Sequence, residues 1–183
     1  RTSESILRQE TTLTNKLQKI SCSQLRKIDL FTSLSDDELC KIASDDCFLR
    51  YAPGEFIVSK GQTGTSMYVI IEGTCSVVLG DDIHSNKVIT QLNKGEIFGE
   101  ISALTNTPRT ASIKAVTHIE LQEISQRQIE NIFLNNKLAM NEFSRIIAKR
   151  EAESRNFTPI EQKDFQVSLL QKMSSSFERF FNL

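Results

Sequence analysis

The chain has no excess of charge of either sign: 22 basic residues face 23 acidic ones, for a net charge of −1. That balance gives no electrostatic footprint for DNA, RNA or an acidic membrane surface, so no nucleic-acid partner is expected. Long apolar runs are also lacking. A membrane-spanning helix needs roughly 18 or more apolar residues, and "MYVII" at 67–71 is among the longest runs here. There is no secretory signal pattern. The sequence starts at Arg1 rather than Met and reads as a piece of a longer protein, whose remainder is free to hold membrane spans. Four cysteines (Cys22, Cys40, Cys47, Cys75) form no C-x-x-C pair, and with only His84 and His118 beside them they make no zinc set. Scattered in this way, they read as small buried side chains in a reducing compartment. With no Cys/His or Ser/His neighbourhood, no metal cluster and no Walker-type loop, neither catalysis nor a catalytic residue is expected.

What is present is a chain of 183 residues, 39% hydrophobic and 25% charged, enough for one domain with helical extensions. All seven glycines lie between positions 54 and 99. Short apolar or alternating runs sit between them ("EFIV", "SMYVII", "CSVVL", "KVITQL", "GEIF"), and "TASIKAV" and "HIELQEI" follow. Frequent turn residues separating short strands predict an antiparallel β-sandwich or barrel. "GDDIHSNK" reads as the turn of one of its hairpins.

The flanks differ. Residues 1–50 contain neither Gly nor Pro, and Leu13, Leu17, Ile20, Leu25 and Ile28 recur near helical spacing. Ser35 with Glu38, Ser125 with Gln128 and Thr158 with Glu161 are capping pairs, the last with Pro159 at the first helical position. Met140, Phe143 and Ile147 mark one apolar stripe, and Phe165, Leu169, Met173 and Phe177 another. The predicted architecture is α+β: an antiparallel, jelly-roll-like β-roll of about eight strands between N-terminal and C-terminal helices. The expected division is an N-terminal helical bundle at 1–50 and a roll at 51–124 with a cassette at 98–112. Two helices at 125–157 and a C-terminal amphipathic helix at 158–183 complete it.

The cassette "FGEISALTNTPRTAS" carries the chemistry. Gly99 has no side chain and lets the backbone approach a ligand closely. Residues 100–104 read as one helical turn whose free N–H groups suit an anion. Glu100 can accept a hydrogen bond from a sugar hydroxyl, and Arg109 can give charge-assisted bonds to a phosphate oxygen. A surface ion pair between the two is the plainer alternative.

The ordered set "LFTSLSDDELCKIA", "APGEFIVSKGQTGTSMYVIIEGTCSVV" and "FGEISALTNTPRTASIKA" resembles the cyclic nucleotide-binding domain family, over about residues 25–150. The resemblance implies cAMP or cGMP as ligand and no other cofactor or metal. It assigns Glu100 to the ribose, Arg109 to the phosphate, and backbone contacts to Gly99, Ile101, Ser102 and Ala111. Thr110 stands where related domains can bond a guanine amino group, although its hydroxyl can equally serve the phosphate or the backbone, so the choice of nucleotide stays open. The helix at 137–155 corresponds to a lid that closes over the base, with Arg150 as a base-facing candidate and Ile146 or Ile147 as apolar alternatives. "RTASIKA" and the tail "LLQKMSSSFERFFNL" are similar to channel domains of the family, including bacterial mechanosensitive-like ones. That implies attachment to a membrane channel or transporter, a cytoplasmic face and a homo-oligomeric whole protein. Transcription-factor, kinase-regulatory and degenerate non-binding modules are the alternatives.

Overall fold

The computed structural model describes residues 22–43, 47–79, 87–155 and 158–181. A helical turn at residues 22–25 and a 3₁₀ turn, Asp29–Phe31, lead to helix α1, Asp36–Ala43. Eight strands follow: β1 Phe48–Tyr51, β2 Phe56–Val58, β3 Ser66–Glu72, β4 Thr74–Leu79, β5 Lys87–Asn93, β6 Ile97–Phe98, β7 Ser112–Ala115 and β8 Ile119–Ser125. Helix α2, Glu100–Thr105, interrupts them between β6 and β7. Helices α3, Gln126–Asn135, α4, Lys137–Arg155, and α5, Pro159–Phe181, close the chain.

Pairing is antiparallel throughout, in two four-stranded sheets ordered β1-β8-β3-β6 and β2-β7-β4-β5. The chain is therefore α+β, with the roll of about eight strands between helices that its sequence predicts. The first strand begins at Phe48 rather than at residue 51, and the last runs to Ser125. The expected hairpin turn at 80–87 falls almost wholly outside the described residues, as do His84 and the apolar positions Leu13, Leu17 and Ile20; the side chain of Phe177 is likewise not described.

"SMYVII" does not alternate because both faces of β3 are covered. Met67 and Val69 join a cluster beneath the helices with Phe31, Leu39, Phe133 and Phe143. Tyr68 and Ile70 point the other way, into the roll, with Cys75, Leu92, Phe98 and Leu121. The side-chain period of two along a strand thus divides one run between two cores.

The helical wrap is fixed at its ends and through its centre. Ser125 and Gln128 form a capping box on α3, and Ser35–Glu38 and Thr158–Glu161 make the same reciprocal bonds on α1 and α5. Phe143 of α4 packs 5.0 Å edge-on to Phe133 and 6.0 Å from Phe31, tying three elements through one fully buried ring. Truncating such a ring costs about 3–5 kcal/mol. Leu169 and Met173 of α5 are buried in the same cluster, so the stripe of the last helix lies against its own domain. Among the described residues, no helix is long and apolar enough to cross a membrane.

The cysteines depart from expectation. Only Cys75 is buried; Cys22 is half-buried, and Cys40 and Cys47 are exposed. Cys40 lies on the outward face of the short helix α1, and Cys47 directly precedes the exposed start of β1, so neither reaches a core.

Candidate functional site

The site is built around a buried cation. Arg109 is only 6% exposed, a costly position for a charge without hydrogen-bond partners. Its backbone is clamped first: Gly61 N–H donates to the Arg109 carbonyl and Arg109 N–H donates to Gln62 O, both at 2.8 Å. The side chain then donates from Nη1 to Gly99 O at 2.8 Å and from Nη2 to Ser66 O at 2.7 Å. Those two bonds set the plane of the guanidinium. Arginine carries five N–H donors, so the fork keeps capacity for an anion. The Tyr68 ring, stacked on Phe98 at 5.1 Å, lies 5.6 Å from the guanidinium carbon. Burial works against the charge of Arg109, while Tyr68 and Glu100 nearby favour it.

Two glycines make this arrangement possible. A Cβ on Gly64 would lie 2.3 Å from Arg109 Nε, and one on Gly99 would lie 2.4 Å from Nη1. Gly99 also has φ +80°, in the left-handed region, as the cap that turns β6 into α2. Gly64 reads from sequence as a turn former. It has no positive φ, and its small size instead clears space for the guanidinium. Ser66 and Tyr68 are further site residues absent from the sequence reading. The only sequence signal for them is their position on the strand after Gly64, and the close approach is a tertiary fact.

At the start of α2, directly after its cap Gly99, sits Glu100, also buried. Burial raises its carboxyl above the ordinary glutamate range, and the opposing pull comes chiefly from Arg150. Arg150 Nη1 is 3.6 Å from Glu100 Oε1, and Nη2 donates to Ile97 O at 3.2 Å. Helix α4 therefore reaches the cassette through the residue expected to face a base. Its guanidinium here contacts the carboxylate and a strand carbonyl.

The remaining candidates surround these two charges. Ser102 is buried and its hydroxyl donates to Pro108 O at 3.3 Å, while Ile101 is half-buried against the helix-side core. Asn106 ends α2 at φ 53°, returning the chain to Arg109. Ala111 is half-buried and Thr110 exposed. Thr110 is thus open to solvent, next in the chain to the buried Arg109. A cavity of about 510 Å³ is lined by Ile28, Ile97, Glu142, Ile146, Lys149 and Arg150 among others. Neither Arg109 nor Glu100 lines it, so it is separate from the cassette.

Residues 48–136 match the family model described as the cyclic nucleotide-binding domain. The chain is 29% identical over 150 residues to the human (Homo sapiens) cyclic nucleotide-gated channel beta-3, covering 76% of this chain and 18% of that protein. It is 32% identical over 108 residues to a cAMP-dependent protein kinase regulatory subunit from Colletotrichum orbiculare, covering 59% of this chain and 27% of the relative. The chain thus spans less than a third of either. Among solved structures, the regulatory domain of Toxoplasma gondii PKA with cAMP superposes with a TM-score of 0.63 at 19% identity, over 76% of this chain and 51% of that one, which shows the shared fold. PKAR CBD2 with Sp-2Cl-cAMPS bound gives a TM-score of 0.55 at 28% identity, over 70% of this chain and 92% of its own. The roll of this chain, with the cassette it carries, belongs to the cyclic nucleotide-binding domain family.

Proposed function

We propose that the chain is a cyclic nucleotide sensor that binds cAMP, cGMP or both without catalysis, and passes occupancy on through α4. The observation that carries this is the Arg109 cradle: a buried cation, cleared by two glycines and fixed by carbonyls, with spare donors beside the first turn of α2. The phosphodiester takes the guanidinium and the α2 N–H groups, with Ile101, Ser102 and Ala111 supplying backbone. The ribose hydroxyl donates to Glu100. Charge-assisted bonds of this type contribute about 1.5–3 kcal/mol each.

Signalling needs two states that differ in affinity. Glu100 supplies the difference because it serves the ligand and, through Arg150, the lid. A sugar hydroxyl arriving at Glu100 changes the contact that holds α4 to the cassette, and α4 carries the change to α5. Thr110, open to solvent, is the candidate for reading guanine.

The output we assign is a membrane channel or transporter joined to this chain, cytoplasmic on that side and oligomeric as a whole. The likeness to the beta-3 channel supports it. A second reading, part of a kinase regulatory protein, is supported by the likeness to the Colletotrichum orbiculare subunit. The test of binding is calorimetric titration of nucleotide-free protein with cAMP and cGMP. Saturable heat with either is expected; no heat with both overturns the sensor reading. Assembly with a kinase catalytic subunit that cAMP dissolves would favour the second output.

A further inference from the structure

The helical turn at 22–25 lies against α1 with a definite register. Cys22 and Arg26 are one helical turn apart, joined by the Arg26 N–H to Cys22 O bond of 3.1 Å. Asp36 and Cys40 are likewise one turn apart on α1. Arg26 pairs with Asp36 and also donates to Leu34 O, and Cys22 Sγ lies 2.6 Å from Cys40 Sγ. The two segments run antiparallel, matching cation to anion at one level and thiol to thiol at the next. Leu25, fully buried between these levels, anchors the turn.

We propose that Cys22 and Cys40 are a reversible dithiol/disulfide pair that staples the N-terminal segment to α1. The ion pair and the carbonyl bond hold the two sulfurs together before any reaction. Cys40 is exposed and meets the oxidant; Cys22, half-buried against the helix-side core, closes the bond. With hydrogen peroxide, the Cys40 thiolate attacks one oxygen, giving a sulfenic acid and hydroxide. The Cys22 sulfur then attacks the sulfenic sulfur, and its proton leaves with the hydroxyl as water. Two thiols lose two electrons, and one peroxide becomes two waters. Thiol reductants reverse it by exchange.

The staple acts on a helix that touches the root of α4. Glu38 of α1 accepts from Asn136 Nδ2 at 3.1 Å, and Ile42 O accepts from Gln128 Nε2 at 3.1 Å. Asn136 is the residue between α3 and α4, and its side chain caps α4 at the Ala139 N–H. Oxidation therefore ties the entering chain to the surface on which the lid is hinged. Any effect on nucleotide response rests on the sensor reading above; the disulfide itself does not.

The test is peptide mass mapping of the whole chain after hydrogen peroxide and then under reductant, without nucleotide. The expected product is a linked pair of peptides holding Cys22 and Cys40, lighter by two hydrogens, with Cys47 and Cys75 still titrating as thiols. Its melting temperature should rise by roughly 5 °C or more and return on reduction. Cys40→Ser, at an exposed position, should fold normally and lose both the link and the shift. A link to Cys47 or Cys75 instead, only intermolecular products, or a stable adduct on Cys40 with Cys22 left free would overturn the assignment.

Discussion

Arg109 and Glu100 are both buried charges on the same cassette, yet they are secured from opposite sides of the molecule. Arg109 is held by the roll, through the Gly99 and Ser66 carbonyls and the clamp at Gly61 and Gln62. Glu100 is met by the helical wrap, through Arg150 of α4. One end of the proposed pocket is therefore fixed to a sheet, and the other is tied to α4, the helix we propose as the lid. Binding strength should reside at the first end and the response at the second.

The largest expected effect breaks the fixed end. Arg109→Ala should weaken cAMP or cGMP binding at least about tenfold, from the loss of charge-assisted bonds. It should also lower the ligand-free melting temperature by a few degrees, because the Gly99 and Ser66 carbonyls each lose the guanidinium as a donor. Titration and thermal unfolding check the two effects separately. Next are Gly64→Ala and Gly99→Ala, whose added methyl would overlap the guanidinium. Both should reduce affinity, Gly99→Ala the more, since its φ of +80° also disfavours a side chain. Equal affinity in all three proteins would remove the cradle from the account.

At the proposed lid end the effect is smaller. The Arg150–Glu100 contact is 3.6 Å long with Arg150 38% exposed, and half-exposed ion pairs contribute at most about 1 kcal/mol. Arg150→Gln should therefore change affinity by roughly fivefold or less while speeding nucleotide release in stopped flow. An unchanged release rate would detach α4 from the site. The smallest effect is with pH. Because burial raises the Glu100 carboxyl above its ordinary value of 4.5, the folded chain favours its protonated form. Its contribution to ligand-free stability is then present at acid pH and lost as pH rises through the folded pKa. Nucleotide affinity should run the other way, falling as pH drops from neutral toward that midpoint, since a charged acceptor bonds the hydroxyl more strongly. Glu100→Gln should flatten both trends.

Much of the scaffold is legible in the sequence because its signals are local. Capping pairs such as Ser125–Gln128 lie only three residues apart, and seven glycines clustered between 54 and 99 mark turns without reference to anything distant. The double burial of β3 is visible as unbroken "SMYVII", although which residue faces which core is not. The site is harder to read. Glu100 and Arg109 stand out as types in a motif, but Gly64 and Ser66 come to Arg109 across more than 40 residues, and no periodicity encodes that approach. The Cys22–Cys40 approach is not legible in the sequence for the same reason, as it depends on two segments meeting in register rather than on spacing.

The most direct test of the shared carboxylate is amide hydrogen exchange on the nucleotide-free chain, with and without saturating cAMP or cGMP. The account predicts that ligand alters protection both at 98–112 and along 137–155, and that Glu100→Gln at saturating ligand removes the change in α4 while retaining that around Arg109. A change confined to 98–112 in the wild-type chain would contradict it.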